Sequence, residues 1–241
     1  MNRYIKLIAR YFRARQFGVA FRGTQHTVLP PVMKFGGRAR QIRVPDHQFM
    51  ISDWMDIVLD DDYGFRKIRP EPRMIVDIGA NIGNVCNFAR DCFPNAIIQA
   101  YEPSPENVEL ARFNAEHPLT TIYAEGVAST DGRGDIIDHG LSNIVQTRTS
   151  DDGDVALVSF ATVLERAGGH IDLLKVDCEG AEWSFMTDPA LFAHVDRIRM
   201  EYHLVDGHTI DDVRALAPAL GFKLTKLSEN DGYGIAWMDK I

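Results

Sequence analysis

From Arg73 onward the chain alternates between two patterns. Short apolar runs rich in β-branched residues predict strands over 74–78, 97–102, 121–124, 171–177 and 197–202. Segments whose apolar positions recur every three or four residues predict helices over 83–92, 105–115, 160–167, 181–186 and 210–220. Strict alternation of this kind belongs to a doubly wound, mostly parallel α/β sheet. Two more runs, 222–227 and 234–238, flank the turn-rich Glu229-Asn230-Asp231-Gly232 and read as a closing antiparallel hairpin, which makes seven strands.

Upstream the pattern changes. Tyr4, Ile5, Ile8, Tyr11 and Phe12 recur at near-helical spacing with Arg3, Lys6, Arg10 and Arg13 between them. Prolines and glycines then suggest loops and short strands up to Asp46, and 51–62 reads as a helix with Ser52 as its cap. Charge sharpens the division: residues 1–45 carry ten Lys or Arg and no acid, so the net −8 hides a body near −18. We therefore divide the chain into a basic N-terminal extension, 1–48, and an α/β domain, 49–241. The acidic body is unsuited to nucleic acid, whose phosphates need a basic face. The extension suits either docking on that body or peripheral contact with an anionic membrane surface.

With 241 residues, 45% hydrophobic and 25% charged, the chain can bury one substantial core. No apolar run approaches the roughly 20 residues that span a bilayer, and the first 21 residues do not have the layout of a signal peptide. Cys86, Cys92 and Cys178 lack the paired spacing of a zinc site or redox motif and fit reduced thiols in the cytoplasm.

The chemistry concentrates in Met74-Ile-Val-Asp-Ile-Gly-Ala-Asn-Ile-Gly-Asn84, a strand that ends in an acid and turns through Gly79 and Gly83 into a helix. A dinucleotide fingerprint would place a glycine where Asn81 stands and would not set Asp77 beside phosphates. S-adenosylmethionine fits better, because its ammonium and sulfonium give an acid something to face. Glu102, closing the next strand 19 residues after Gly83, is placed to accept ribose hydroxyls. Asp177 and Glu201 end later strands, where ligands of open α/β sheets bind. Lys175 lies inside an apolar run and needs a carboxylate partner. Alternation puts Lys175 with Asp177 on one face of their strand, and likewise Glu201 with His203, so adjacent strands could bring acid, base and imidazole together.

Three blocks carry a family resemblance: Val76-Asp-Ile-Gly-Ala-Asn-Ile-Gly-Asn84, Tyr101-Glu-Pro-Ser-Pro-Glu-Asn107 and Leu174-Lys-Val-Asp-Cys-Glu-Gly-Ala-Glu182, supported by Glu201-Tyr-His203. Together they resemble the FkbM family of class I, Rossmann-like methyltransferases over roughly 49–238. The resemblance implies that Asp77, Gly79, Asn81, Gly83 and Glu102 bind S-adenosylmethionine, that 127–131 forms a shortened adenine-side loop, and that a sugar or metabolite hydroxyl is methylated. His203 is then the first candidate for the base, with Glu201 or Asp177 orienting it and Lys175 pairing nearby.

Glu179 and Glu182 suit a helix start, where acids are favoured anyway. Asp177, Glu179, Glu201 and His203 include donors a divalent ion accepts, but their spacing is not diagnostic and no metal is assigned. The other histidines, together with Asp138, His139, Ser142 and Asn143, read as loop residues. Trp54 and Trp183 fit either core packing or a cover over the site. Two alternatives remain: a nicotinamide-dependent oxidoreductase, and a non-catalytic membrane- or partner-binding module that keeps the fold.

Overall fold

All seven apolar runs form strands of one sheet. The computed structural model describes residues 3–19, 29–35, 37–45, 50–138, 145–150 and 152–241. His26, His47, His139, Ser142 and Asn143 lie outside the described residues. The chain begins with α1 (Arg3–Gln16), a hairpin of β1 (Val32–Phe35) and β2 (Arg38–Gln41), and α2 (Met50–Trp54), which runs into a π-helical turn, Met55–Leu59. Ser52 therefore sits inside the helix instead of capping it, and the expected single helix over 51–62 is two shorter pieces of different pitch.

The alternating region follows as β3 (Met74–Ile78), α3 (Asn84–Cys92), β4 (Ile97–Tyr101), α4 (Pro105–Asn114) and β5 (Thr120–Tyr123). Pro105 at the first helical position and Ser104 accepting from Asn107 N start α4. Four strands come next, β6 (Glu125–Ala128), β7 (Gly132–Asp138), β8 (Val145–Thr149) and β9 (Val155–Ser159). The remainder is α5 (Phe160–Arg166), β10 (Leu173–Val176), α6 (Glu182–Phe185), α7 (Pro189–Phe192), β11 (Arg197–His203), α8 (Ile210–Ala219), β12 (Phe222–Leu227) and β13 (Tyr233–Lys240).

The large sheet has the order β12-β13-β11-β10-β3-β4-β5, with β13 antiparallel to both neighbours and the other pairings parallel. The strands are wound outward from β3 in one direction and from β10 in the other, so the crevice between these two is where a ligand belongs. Their register sets Lys175 directly beside Asp77. Both residues point to the face that carries Ile75 and Leu173, packed under Phe88 and Phe93 of the α3 side. Val76, Ile78, Leu174 and Val176 point to the other face, against Phe160, Phe185 and Phe192.

The strands β6-β9-β7-β8 form a second, smaller sheet that the sequence pattern did not show. The buried apolar residues of β6 and β9 divide between its two faces, Val127 and Val158 joining the main core and Ala128, Val155 and Leu157 clustering with Ile136, so no single apolar face registers as alternation. The segment around Asp138, expected as a loop, is thus strand. The region read as an adenine-side loop begins as β6.

α1 docks with its basic side inward. Arg10 binds Asp60 at 2.6–3.1 Å and also pairs with Asp56, while Arg13 donates to Leu59 O. Ala14 and Phe17 enter the core, where Phe17 meets Trp54 edge to face. Trp54 is wholly buried, which settles it as packing. Among the described residues no helix is long and apolar enough to cross a membrane.

Candidate active site

A cavity of about 500 Å³ opens over the carboxyl ends of β3, β4, β10 and β11. The turn after β3 forms its floor. Gly79 has φ +78, and a Cβ there would lie 1.6 Å from Asp177 O, so no other residue fits between the strand ends. Asn81 also takes a left-handed conformation, φ +50. Its N–H donates to Glu102 Oε2 at 2.8 Å, and Ser104 N donates to Oε1 at 3.0 Å. Burial lifts the Glu102 carboxyl above its ordinary range, partly offset by these two N–H groups. Gly83, φ +88, does not line the cavity and instead permits close approach of α3 to Ala115 and Ala111 on the α4 side.

Asp77 is fully buried beneath this floor and does not line the cavity. Its Oδ1 lies 3.1 Å from Lys175 Nζ, and Oδ2 takes the Cys86 thiol at 3.4 Å. Lys175, 1% exposed, also donates to Gly79 O at 2.6 Å and stands 3.6 Å from Asp177 Oδ2. Burial alone would lower this ammonium's pKa, but Asp77 and Asp177 outweigh it and keep it charged. The acid that Lys175 requires is thus Asp77 on the neighbouring strand, with Asp177 second.

Asp177, Glu179, Glu201 and His203 crowd the far end. His203 Nε2 lies 3.1 Å from Glu179 Oε2 and 3.8 Å from Glu201 Oε1. Behind it Glu182, fully buried, accepts from His203 N and Gly180 N, both at 2.8 Å, and stands 3.6 Å from Nδ1, beyond hydrogen-bond length. Burial would push the imidazole down, but Glu182, Glu179 and Asp177 carry it up to about 9. Burial lifts Glu179 to about 7 and pushes Glu201 well above its ordinary value, with the charge of Asp177 adding to both. Asp177, Glu201 and His203 each offer a ligand atom within 4.8 Å of the others. Trp183 donates to His203 O at 2.7 Å and stacks on His208, so it braces the strand end and covers nothing.

Two contributors lie far upstream. Tyr63, 1% exposed, donates its hydroxyl to Asp177 Oδ2 at 3.1 Å. Asp53 forms part of the wall with Asp56 and Asp62, and burial together with the charge of Asp177 lifts it to about 6. Nothing in the local pattern set Asp53 apart from Asp56 and Asp60 to Asp62, and nothing marked Tyr63.

The methyltransferase FkbM domain family matches residues 77–224, more than half of the chain. The chain belongs to the FkbM methyltransferase family. Its members use S-adenosylmethionine, so this chain is an S-adenosylmethionine-dependent methyltransferase. Among curated proteins no sequence matches significantly. Among solved structures the chain is similar to magnesium protoporphyrin IX methyltransferase from Synechocystis PCC 6803 with bound S-adenosylmethionine (TM-score 0.48, 11% identity, covering 79% of this chain and 81% of that one). It is also similar to precorrin-6y C5,15-methyltransferase from Geobacter metallireducens GS-15 (TM-score 0.47, 13% identity, covering 84% and 93%).

The residues present fit the FkbM cofactor. Asn81 Oδ1 is buried without a hydrogen-bond partner, an acceptor that an ammonium satisfies. The Glu102 carboxylate, bonded by the N–H groups of Asn81 and Ser104 and by the Asn107 side chain, keeps acceptor capacity for a ribose hydroxyl. Glu102→Ala is expected to weaken S-adenosylmethionine binding by about 1–3 kcal/mol, or about 5–150-fold, with Glu102→Gln intermediate. Calorimetry giving wild-type affinity for both variants would remove Glu102 from the cofactor site.

Proposed function

We propose that this FkbM methyltransferase acts in the cytoplasm, where its three free thiols stay reduced, and methylates a hydroxyl oxygen on a sugar, glycan or polyhydroxylated metabolite. The observation that carries this reading is the cluster of Asp177, two strands across the sheet from Glu102, with Glu201 and His203, three strands across, roughly 10 and 14 Å at ordinary strand spacing. A hydroxyl, unlike an amine or a thiolate, needs a group to take its proton during transfer. This end of the cavity is built from such groups.

When bound, the cofactor supplies a methyl group on a sulfonium, open to in-line attack by oxygen. Glu102 and Asn81 hold its ribose and ammonium. Gly79 and Gly83 shape the turn, and Asp77 acts from below by fixing Lys175 against Gly79 O. Tyr63 and Lys175 position Asp177. Glu179 at 3.1 Å and Glu201 at 3.8 Å orient His203, with the charge of Asp177 beside them, and His203 accepts the proton once a positive charge in the cavity has lowered its hold on its own. Lys175 already places a cation 3.6 Å from Asp177, so this reading involves no metal.

The wall selects the acceptor class. Asp53, Asp56 and Asp62 line the cavity and disfavour phosphates, so a neutral or aminated polyol fits better than nucleic acid. Tritium from methyl-labelled S-adenosylmethionine, incubated with cell extract and a chelator, is expected in an ether on a small polyol or glycan. Label recovered on nucleic acid, on protein or on a ring carbon would overturn the proposal.

A further inference from the structure

The amphipathic helix α1 faces the wrong way for a helix that serves only to dock. Its arginines Arg10 and Arg13 are spent on the body, while Ile8, Tyr11 and Phe12 are 57, 36 and 61% exposed. These three residues stand at i, i+3 and i+4 and form one stripe. Arg15 continues it, its guanidinium 4.6 Å from the centre of the Tyr11 ring and bonded to the Tyr11 hydroxyl at 2.7 Å. The arginine pairs at Asp56 and Asp60, and the burial of Ala14 and Phe17, prevent the helix from rolling to hide the stripe.

The surroundings share this chemistry. Lys34 N donates to Phe17 O at 2.8 Å, which ties the β1–β2 hairpin to the end of α1. On that hairpin Val32 is 47% exposed, and Lys34 and Arg38 are exposed as well. Residues 1–45 contain no acid, whereas the rest of the chain is near −18.

We propose that the outward face of α1 lies on an anionic lipid bilayer, with Ile8, Tyr11 and Phe12 in the headgroup–acyl boundary and Arg15, Lys34 and Arg38 near the phosphates. A short helix with apolar and aromatic residues on one side and cations flanking them is the combination that partitions into this interface. Charge complementarity selects the occupant. An anionic surface is attracted to this end of the chain and repelled by the other, whereas the same face of a second copy brings only like charges together. The bilayer contact uses the side of the helix opposite to the basic one.

The full-length protein, sedimented with vesicles of phosphatidylcholine alone and of phosphatidylcholine with phosphatidylglycerol, is expected to bind the second, and to lose binding as salt rises. The double variant Ile8→Ser/Phe12→Ser is expected to bind the anionic vesicles about tenfold more weakly, with unchanged thermal unfolding and S-adenosylmethionine affinity. Phe12→Trp is expected to shift its emission to the blue on the same vesicles. Failure to bind anionic vesicles, or equal binding by the double variant, overturns the proposal. So does a wild-type dimer in analytical ultracentrifugation that the double variant converts to monomer, since that would give the stripe to a second copy.

Discussion

Lys175→Met should destabilise the fold by about 3–5 kcal/mol, a large share of the margin that holds a domain together. Methionine nearly fills the volume, so the cost does not come from a cavity. It comes from Asp77, whose carboxylate is fully buried and loses its countercharge at 3.1 Å. Asp77→Asn in the same background should recover part of the loss, because the amide removes the stranded charge. Urea unfolding of the two single variants and the double variant measures the coupling directly. A Lys175→Met protein within about 1 kcal/mol of wild type would show that the pair is not what stabilises the strand ends.

His203→Ala should lower turnover by about 10²–10⁴-fold, the usual contribution of a positioned base, with cofactor affinity little changed. The pH dependence distinguishes a base from a brace. In the cofactor-free chain His203 is raised to about 9 and Glu179 to about 7, so both bind protons that they would shed in a neutral environment. A cation entering the cavity disfavours protonation of both groups. Binding S-adenosylmethionine therefore expels protons, and wild-type affinity should rise with pH up to about 9, through Glu179 below about 7 and through His203 from there to about 9. Calorimetry in buffers of different ionisation heat reads this release, which His203→Ala should reduce. Affinity that is flat across this window, or turnover that survives the substitution, would leave His203 a structural hydrogen-bonding residue.

The central sheet was legible because its inner strands are buried on both faces and read as continuous apolar runs. Lys175, alone in such a run, announced a buried partner. Its identity was hidden, since alternation within β10 points to Asp177, whereas Asp77 comes from cross-strand register that no single strand records. Asp77 looked like the residue to face the cofactor and lies instead under the floor, while Asn81 and Glu102 line the cavity. The gathering of Glu201 and His203 with Asp177 followed from alternation on adjacent strands. The restraint by Glu182 did not, because it depends on a turn through Gly180 at φ +103. The four-stranded sheet stayed invisible because the buried apolar residues of β6 and β9 divide between its two faces.

The cavity wall also bears on how this enzyme can be trimmed for expression or grafting. A fragment cut to 77–224 would keep the signature blocks apart from Val76, yet it would omit Asp53 and Tyr63 at one side and Tyr233 and Ile235 at the other. It would also expose the edge of β11, which β13 covers along seven residue pairs. The smallest working unit is therefore longer than its recognisable core, and useful borders lie ahead of α2 and behind β13.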